Sequence, residues 1–243
     1  MTQPKGIGDD IVKYLSRSRT STEVCSHSQQ QPLLSNSKRY QTEEVLGDEI
    51  AKYLSRSRAS TEACPPSQHQ PLPSNSNLFL TTKLWPADIH QIKEECRQSC
   101  RNLQVDSLDL YLVHWPGGWG REDDGFASGR ERREFVWRQM ELLLEQGLCR
   151  SIGVSNYLET HLSEAEDYAS VMPHVNQFEH NPFQNPSSLK RMCLDMGIVV
   201  EGYSPLAKGC KMNDPRLVQM AQKYNASVAQ VRRKLRYGRS CSA

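Results

Sequence analysis

Residues 140–157, MELLLEQGLCRSIGVSNY, set how this chain folds. Apolar Met140, Leu143 and Leu144 recur at helical spacing, Gly147 is the residue type that closes a helix, and Ile152 to Val154 then read as a short buried strand. The strand ends on two polar residues, Ser155 and Asn156. A helix, a glycine, an apolar strand and a polar end together make one repeat of an α/β fold.

On either side of this stretch the same unit recurs. Strands are predicted at 78–83 (LFLTTK), 107–114 (SLDLYLVH), 151–155 (SIGVS), 174–178 (HVNQF) and 197–203 (GIVVEGY). Helices fall at 88–103, 130–147, 158–169, 186–196 and 214–225, and a last helical pattern begins near Ser227. Strict alternation implies a parallel sheet with right-handed crossovers. Polar residues sit at the strand ends: Lys83, His114, Ser155 with Asn156, Gln177, and Tyr203 with Ser204. Their spacings bracket the roughly 31 residues of one unit in an eightfold barrel. The predicted class is α/β, an incomplete (β/α)8 TIM barrel with about five clear parallel strands. An open, doubly wound sheet also gathers ligands at strand ends and stays as the alternative.

Composition excludes several function classes. The chain has 243 residues, with 30 Lys plus Arg against 28 Asp plus Glu, a formal +2 that argues against a nucleic-acid partner. No apolar run approaches the ~18 residues of a membrane span, and MTQPKGIGDD lacks the apolar core of a signal peptide, so a cytoplasmic protein is expected. The eight cysteines are scattered singly without C-x-x-C, which predicts reduced thiols and no metal. Cys96 and Cys100 would share a helix face.

The N-terminal third differs in texture. Residues 8–38 align with 47–77 at 22 of 31 positions, an internal duplication rich in Ser, Gln, Asn and Pro. Two units are too few for a solenoid, and each offers only a short helical piece such as 48–54. Residues 16–38 and 55–77 are too polar to offset their ordering entropy and are expected to be disordered or loosely held. The expected organisation is a polar repeat copy at 1–39, a tyrosine segment, short helix and second copy at 40–77, a barrel-like region at 78–235, and an irregular tail at 236–243.

Five segments carry a resemblance: TTKLW (81–85), DLYLVHWP (109–116), MELLLEQGLCRSIGVSNY (140–157), VNQFEHNPF (175–183) and VVEGYSPLAKG (199–209). A sixth, YQTEEVLG (40–47), looks like a segment that starts with a catalytic tyrosine and enters a helix. In this order they resemble the aldo-keto reductases, and the likeness covers about 40–54 and 78–231. It implies NADPH-dependent reduction of an aldehyde or ketone, with a small-molecule carbonyl as partner. By resemblance Tyr40 is the general acid, Lys83 stabilises its phenolate, His114 orients the carbonyl oxygen and Trp115 walls the substrate pocket. Ser155, Asn156 and Gln177 would hold the nicotinamide carboxamide, Tyr203 would stack on its ring, and Ser204, Leu206 and Lys208 would line the pyrophosphate. Singly, a lysine after a strand is a solvated charge and a histidine before Trp-Pro caps a turn. The set acquires meaning only together.

Departures from the family pattern point the other way. The position five residues before the tyrosine, an aspartate in the family, is Ser35. The repeat occupies the place of two strands and a helix, and the chain runs RYGRSCSA where an eighth strand and the grip on the 2′-phosphate are expected. The basic residues Arg232, Arg233, Lys234, Arg236 and Arg239 are read as a solvated helix face. These departures predict a monomer, or non-specific association through exposed sheet edges. They keep open a second function, a non-catalytic barrel fragment acting at most as a binding module.

Overall fold

The computed structural model describes residues 41–59, 78–117 and 125–237. The described elements are α1 (Gln41–Ala59), β1 (Thr81–Leu84), a 3-10 turn (Pro86–Gln91), α2 (Ile92–Leu103), β2 (Leu110–Val113) and α3 (Gly129–Glu145). They continue with β3 (Ile152–Ser155), α4 (Glu159–Tyr168), β4 (Val175–Glu179), α5 (Ser187–Asp195), β5 (Val199–Tyr203), α6 (Pro215–Lys223) and α7 (Val228–Tyr237). The strands form one sheet in the order β1-β2-β3-β4-β5. Pairing is parallel, with Gly153 opposite Val175 and Gln177 opposite Glu201. All five strands and every helix predicted from periodicity are present, displaced by a few residues at their ends. Gly147 sits at φ 69°, the left-handed conformation in which a glycine closes a helix.

The chain is built as two compact units. In the first, α1 meets α2 and β1. Leu46 and Ile50 are buried, and a Cβ on Gly47 would collide with the Asn102 carbonyl oxygen, so only glycine permits this approach of α1 to α2. Buried Glu43, in the first turn of α1, accepts from Thr82 Oγ1 at 2.5 Å, Ser99 Oγ at 3.2 Å and Asn102 Nδ2 at 3.3 Å. One carboxylate thereby ties α1 to both β1 and α2, at the level where a lost partner would leave buried donors unsatisfied. Asp109 accepts from the Leu80 backbone N–H at 2.8 Å and from Arg150 at 3.0 Å. Cys96, Cys100 and Cys149 are free and buried. The hydrogen bond with Cys100, followed by burial, raises Cys96, and burial pushes Cys149 up to about 12.

The second unit holds β3, β4 and β5 with α4 to α7 and most of α3. All four residues of β3 are buried, and a Cβ on Gly153 would meet the Val175 carbonyl oxygen at 2.6 Å and Leu112 at 2.7 Å. Trp137 on α3 is buried and donates its indole N–H to the Val171 carbonyl at 2.9 Å. Glu141 accepts from the backbone N–H groups of Ser170 and Val171. Leu217, Ala221 and Val231 form a small apolar cluster between α6 and α7.

Three expectations need correction. Residues 55–59, assigned to the loosely held polar stretch, continue α1 as helix, because Ser55 to Ala59 contain neither glycine nor proline and the helix is already nucleated. Arg232 is not solvated: it is fully buried, donates to the Cys210 carbonyl at 2.6 Å and lies over the Phe183 ring at 5.3 Å. It stands four residues after Val228, which packs against the buried cluster, so the two share one helix face. Residues 236 and 237 belong to α7 and not to the irregular tail. Tyr40, Ser35, Arg239, the first repeat copy and residues 60–77 lie outside the described residues.

Candidate active site

β3, β4 and β5 each deliver polar side chains near their carboxyl ends, and residues following β2 join them. The left-handed conformation of Asn156, at φ 64°, breaks strand β3 directly after Ser155; asparagine tolerates it better than most residues. The Asn156 backbone N–H donates to the Gln177 carbonyl at 2.8 Å, and the Ser155 hydroxyl donates to the same carbonyl at 2.9 Å. The Asn156 amide is engaged on both sides. Its Nδ2 donates to the His114 carbonyl and to Ser155 Oγ, both at 3.0 Å, and its Oδ1 accepts from the Tyr203 hydroxyl at 2.7 Å. Donation to a backbone carbonyl settles which end of the amide is nitrogen. Burial, with Glu179 nearby, raises the Tyr203 phenol, which keeps it a donor.

Gln177 lies opposite Glu201 in the β4–β5 register, and its Nε2 donates to Glu201 Oε1 at 2.8 Å. Since a carboxylate only accepts, the amide orientation follows: Gln177 Oε1 is left facing away from the carboxylate. His114 is half-buried. Its ring meets Trp85 edge-on with centroids 5.0 Å apart and stacks near Trp115 at 6.3 Å. After β5 the backbone turns through positive φ at Ser204, Ala207, Lys208 and Lys211, and the Ser204 and Leu206 carbonyls accept from the Ala207 and Gly209 N–H groups. Side chains of Ser204 and Leu206 are half-exposed along this loop.

The second unit thus brings together His114, Trp115, Ser155, Asn156, Gln177 and Tyr203, with Ser204 and Leu206 on the adjoining turn. Lys83 is half-buried on β1, alternating with the buried Thr82 and Leu84. Two residues escape the sequence reading. Trp85 lies inside a motif but has no contact assigned to it there, and Glu201 goes unmarked although it stands two positions before Tyr203 on the same strand face. That period of two is the available signal. Among the described residues no group of three or more His, Cys, Asp or Glu side chains could hold a metal, and no helix is long and apolar enough to cross a membrane.

The family model for the aldo/keto reductase family matches residues 39–232. An uncharacterized oxidoreductase of Caenorhabditis elegans is 43% identical over 152 residues, covering 62% of this chain and 46% of its own length. The glyoxal reductase of Bacillus subtilis is 37% identical over 153 residues, 62% of this chain and 51% of its own. The chain therefore spans about half the length of the curated relatives it matches. Among solved structures, the Bombyx mori aldo-keto reductase in complex with NADP aligns with TM-score 0.63 and 31% identity over 79% of this chain and 61% of its own. The aldose reductase from Schistosoma japonicum gives 0.64 and 25% over 79% and 62%. Six motifs in order, a parallel sheet with polar strand ends and a match across most of its residues agree: the chain belongs to the aldo/keto reductase family.

Proposed function

We propose that this chain reduces an aldehyde or ketone to an alcohol with NADPH. The observation that carries the reading is the hydrogen-bonded run Tyr203, Asn156, Ser155, Gln177, Glu201 across three strand ends, with an aromatic ring at one end and amide acceptors at the other. These residues fit a nicotinamide: Gln177 Oε1 and the second lone pair of Asn156 Oδ1 suit the carboxamide N–H2, and Tyr203 offers a ring face for stacking. The cofactor, when bound, supplies a hydride to the carbonyl carbon. This chain's own residues do the rest. Tyr40 gives its phenolic proton to the carbonyl oxygen as charge develops there, and the Lys83 ammonium stabilises the phenolate left behind. The neutral N–H of His114 orients the oxygen, while Trp85 and Trp115 flank the imidazole and restrict its rotation.

The related glyoxal reductase of Bacillus subtilis, together with a methylglyoxal reductase of Yersinia pestis that is 38% identical over 153 residues, favours a small reactive aldehyde as the substrate class. Free buried thiols suit a reducing cytoplasm, and we take the working form as a monomer. The test is NADPH oxidation at 340 nm with glyoxal as substrate, paired with tryptophan-fluorescence titration of NADPH. Tyr40→Phe should lower kcat by about a thousandfold while leaving NADPH affinity within about twofold. Retained turnover in Tyr40→Phe would remove the phenol from the reaction. Absence of NADPH binding at millimolar concentration would favour the non-catalytic fragment.

A further inference from the structure

We infer that Glu201 makes the cofactor subsite selective for a carboxamide-bearing pyridine ring over the carboxylate analogue; the inference rests on the nicotinamide reading above. Glu201 is register-paired with Gln177 on the next strand, and Gln177 Nε2 donates to it at 2.8 Å. That bond consumes one of the two donor hydrogens of Gln177 and turns its carbonyl oxygen outward. The neighbouring donors are also committed. Both N–H groups of Asn156 go to the His114 carbonyl and Ser155 Oγ, the Ser155 hydroxyl goes to the Gln177 carbonyl, and the Tyr203 hydroxyl goes to Asn156.

Beside the second N–H of Gln177 Nε2, which suits the carbonyl oxygen common to both ring substituents, what remains open is a set of acceptors: Gln177 Oε1, one lone pair of Asn156 Oδ1, and Glu201 Oε2, which takes part in none of the hydrogen bonds among the described residues. A carboxamide brings two N–H donors to such a set. A carboxylate brings none, and its charge repels that of Glu201. Rejection by an unpaired acceptor and a like charge is more selective than attraction alone. Glu201 is therefore a specificity-determining residue that acts through the orientation of Gln177 and through its own charge.

The experiment titrates the purified full chain with NADP and, separately, with nicotinic acid adenine dinucleotide phosphate, which carries a carboxylate in place of the carboxamide, following tryptophan fluorescence. Wild type should prefer NADP by about a hundredfold. Glu201→Gln should narrow that ratio by about tenfold or more, mainly through tighter binding of the carboxylate analogue. Glu201→Ala, which also removes the charge, should narrow it too and guards against a fault peculiar to the glutamine. Far-UV circular dichroism confirms that each variant is folded. A merely structural role would weaken both dinucleotides alike and leave the ratio unmoved, which would overturn the assignment alone. If wild type binds neither dinucleotide, the cofactor reading falls and this assignment with it.

Discussion

Glu43 and Glu201 are the same side chain put to opposite uses. Glu43 is 6% exposed and takes hydrogen bonds from three side chains on β1 and α2. Glu201 is half-exposed at a strand end and takes one, from a residue that itself lines the candidate site. A saturated carboxylate inside a fold joins elements. One with an open oxygen beside a ring face and two amides has chemistry left for a ligand. The count of satisfied lone pairs, more than burial, separates them.

The largest effect is expected in the first unit. Gly47→Ala forces a methyl against the Asn102 carbonyl oxygen, and separating α1 from α2 should cost about 3 kcal/mol or more in urea unfolding. Glu43→Leu leaves Thr82, Ser99 and Asn102 without their common acceptor and should cost about 2 to 3 kcal/mol by the same measurement. The matched change Glu201→Leu should cost less than about 1 kcal/mol, since only one donor loses its partner. If the two replacements destabilise equally, the distinction between joining and ligand-facing carboxylates fails.

Gln177→Ala probes the ligand-facing side. It should weaken NADPH about tenfold, close to 1.4 kcal/mol, with little change in the unfolding midpoint, as fluorescence and thermal melts would establish. The smallest effect belongs to Asp214, the N-cap of α6, whose carboxyl the Arg216 side chain and backbone hold down at about 2. A depressed carboxylate stabilises the folded chain above its unfolded value of about 3.8, and that contribution disappears as pH falls toward 2. Asp214→Asn should therefore lose part of the acid-limb slope of stability between about pH 4 and 2 and match wild type in slope above about pH 5, read from melts across the range.

Much of the fold is legible in residue order. Strands 107–114 and 151–155 stand out because a strand buried on both faces is a continuous apolar run. Gly147 announces the end of α3 because few other residues accept its φ. Helix α1 reads short, since Ser and Arg carry no periodic apolar signal beyond Leu54. Arg232 misleads because charge suggests solvent, and nothing local says that Cys210, Met212 and Phe183 will enclose it. At the candidate site, Asn156, Gln177 and Tyr203 are visible as polar residues at strand ends, yet Glu201 is not, since its meaning lies in a partner 24 residues earlier.

The order of apolar runs, glycines and strand-end polar residues was enough to specify a parallel α/β sheet, and six segments in order carried the resemblance to the aldo/keto reductases. That information is local: period, chirality and the conformational demands of single residues are written along the chain. Which polar groups are consumed by one another and which stay open to a ligand was left to the packed fold. Hydrogen-bond saturation is a property of register across neighbouring strands, and register is settled only when the sheet packs.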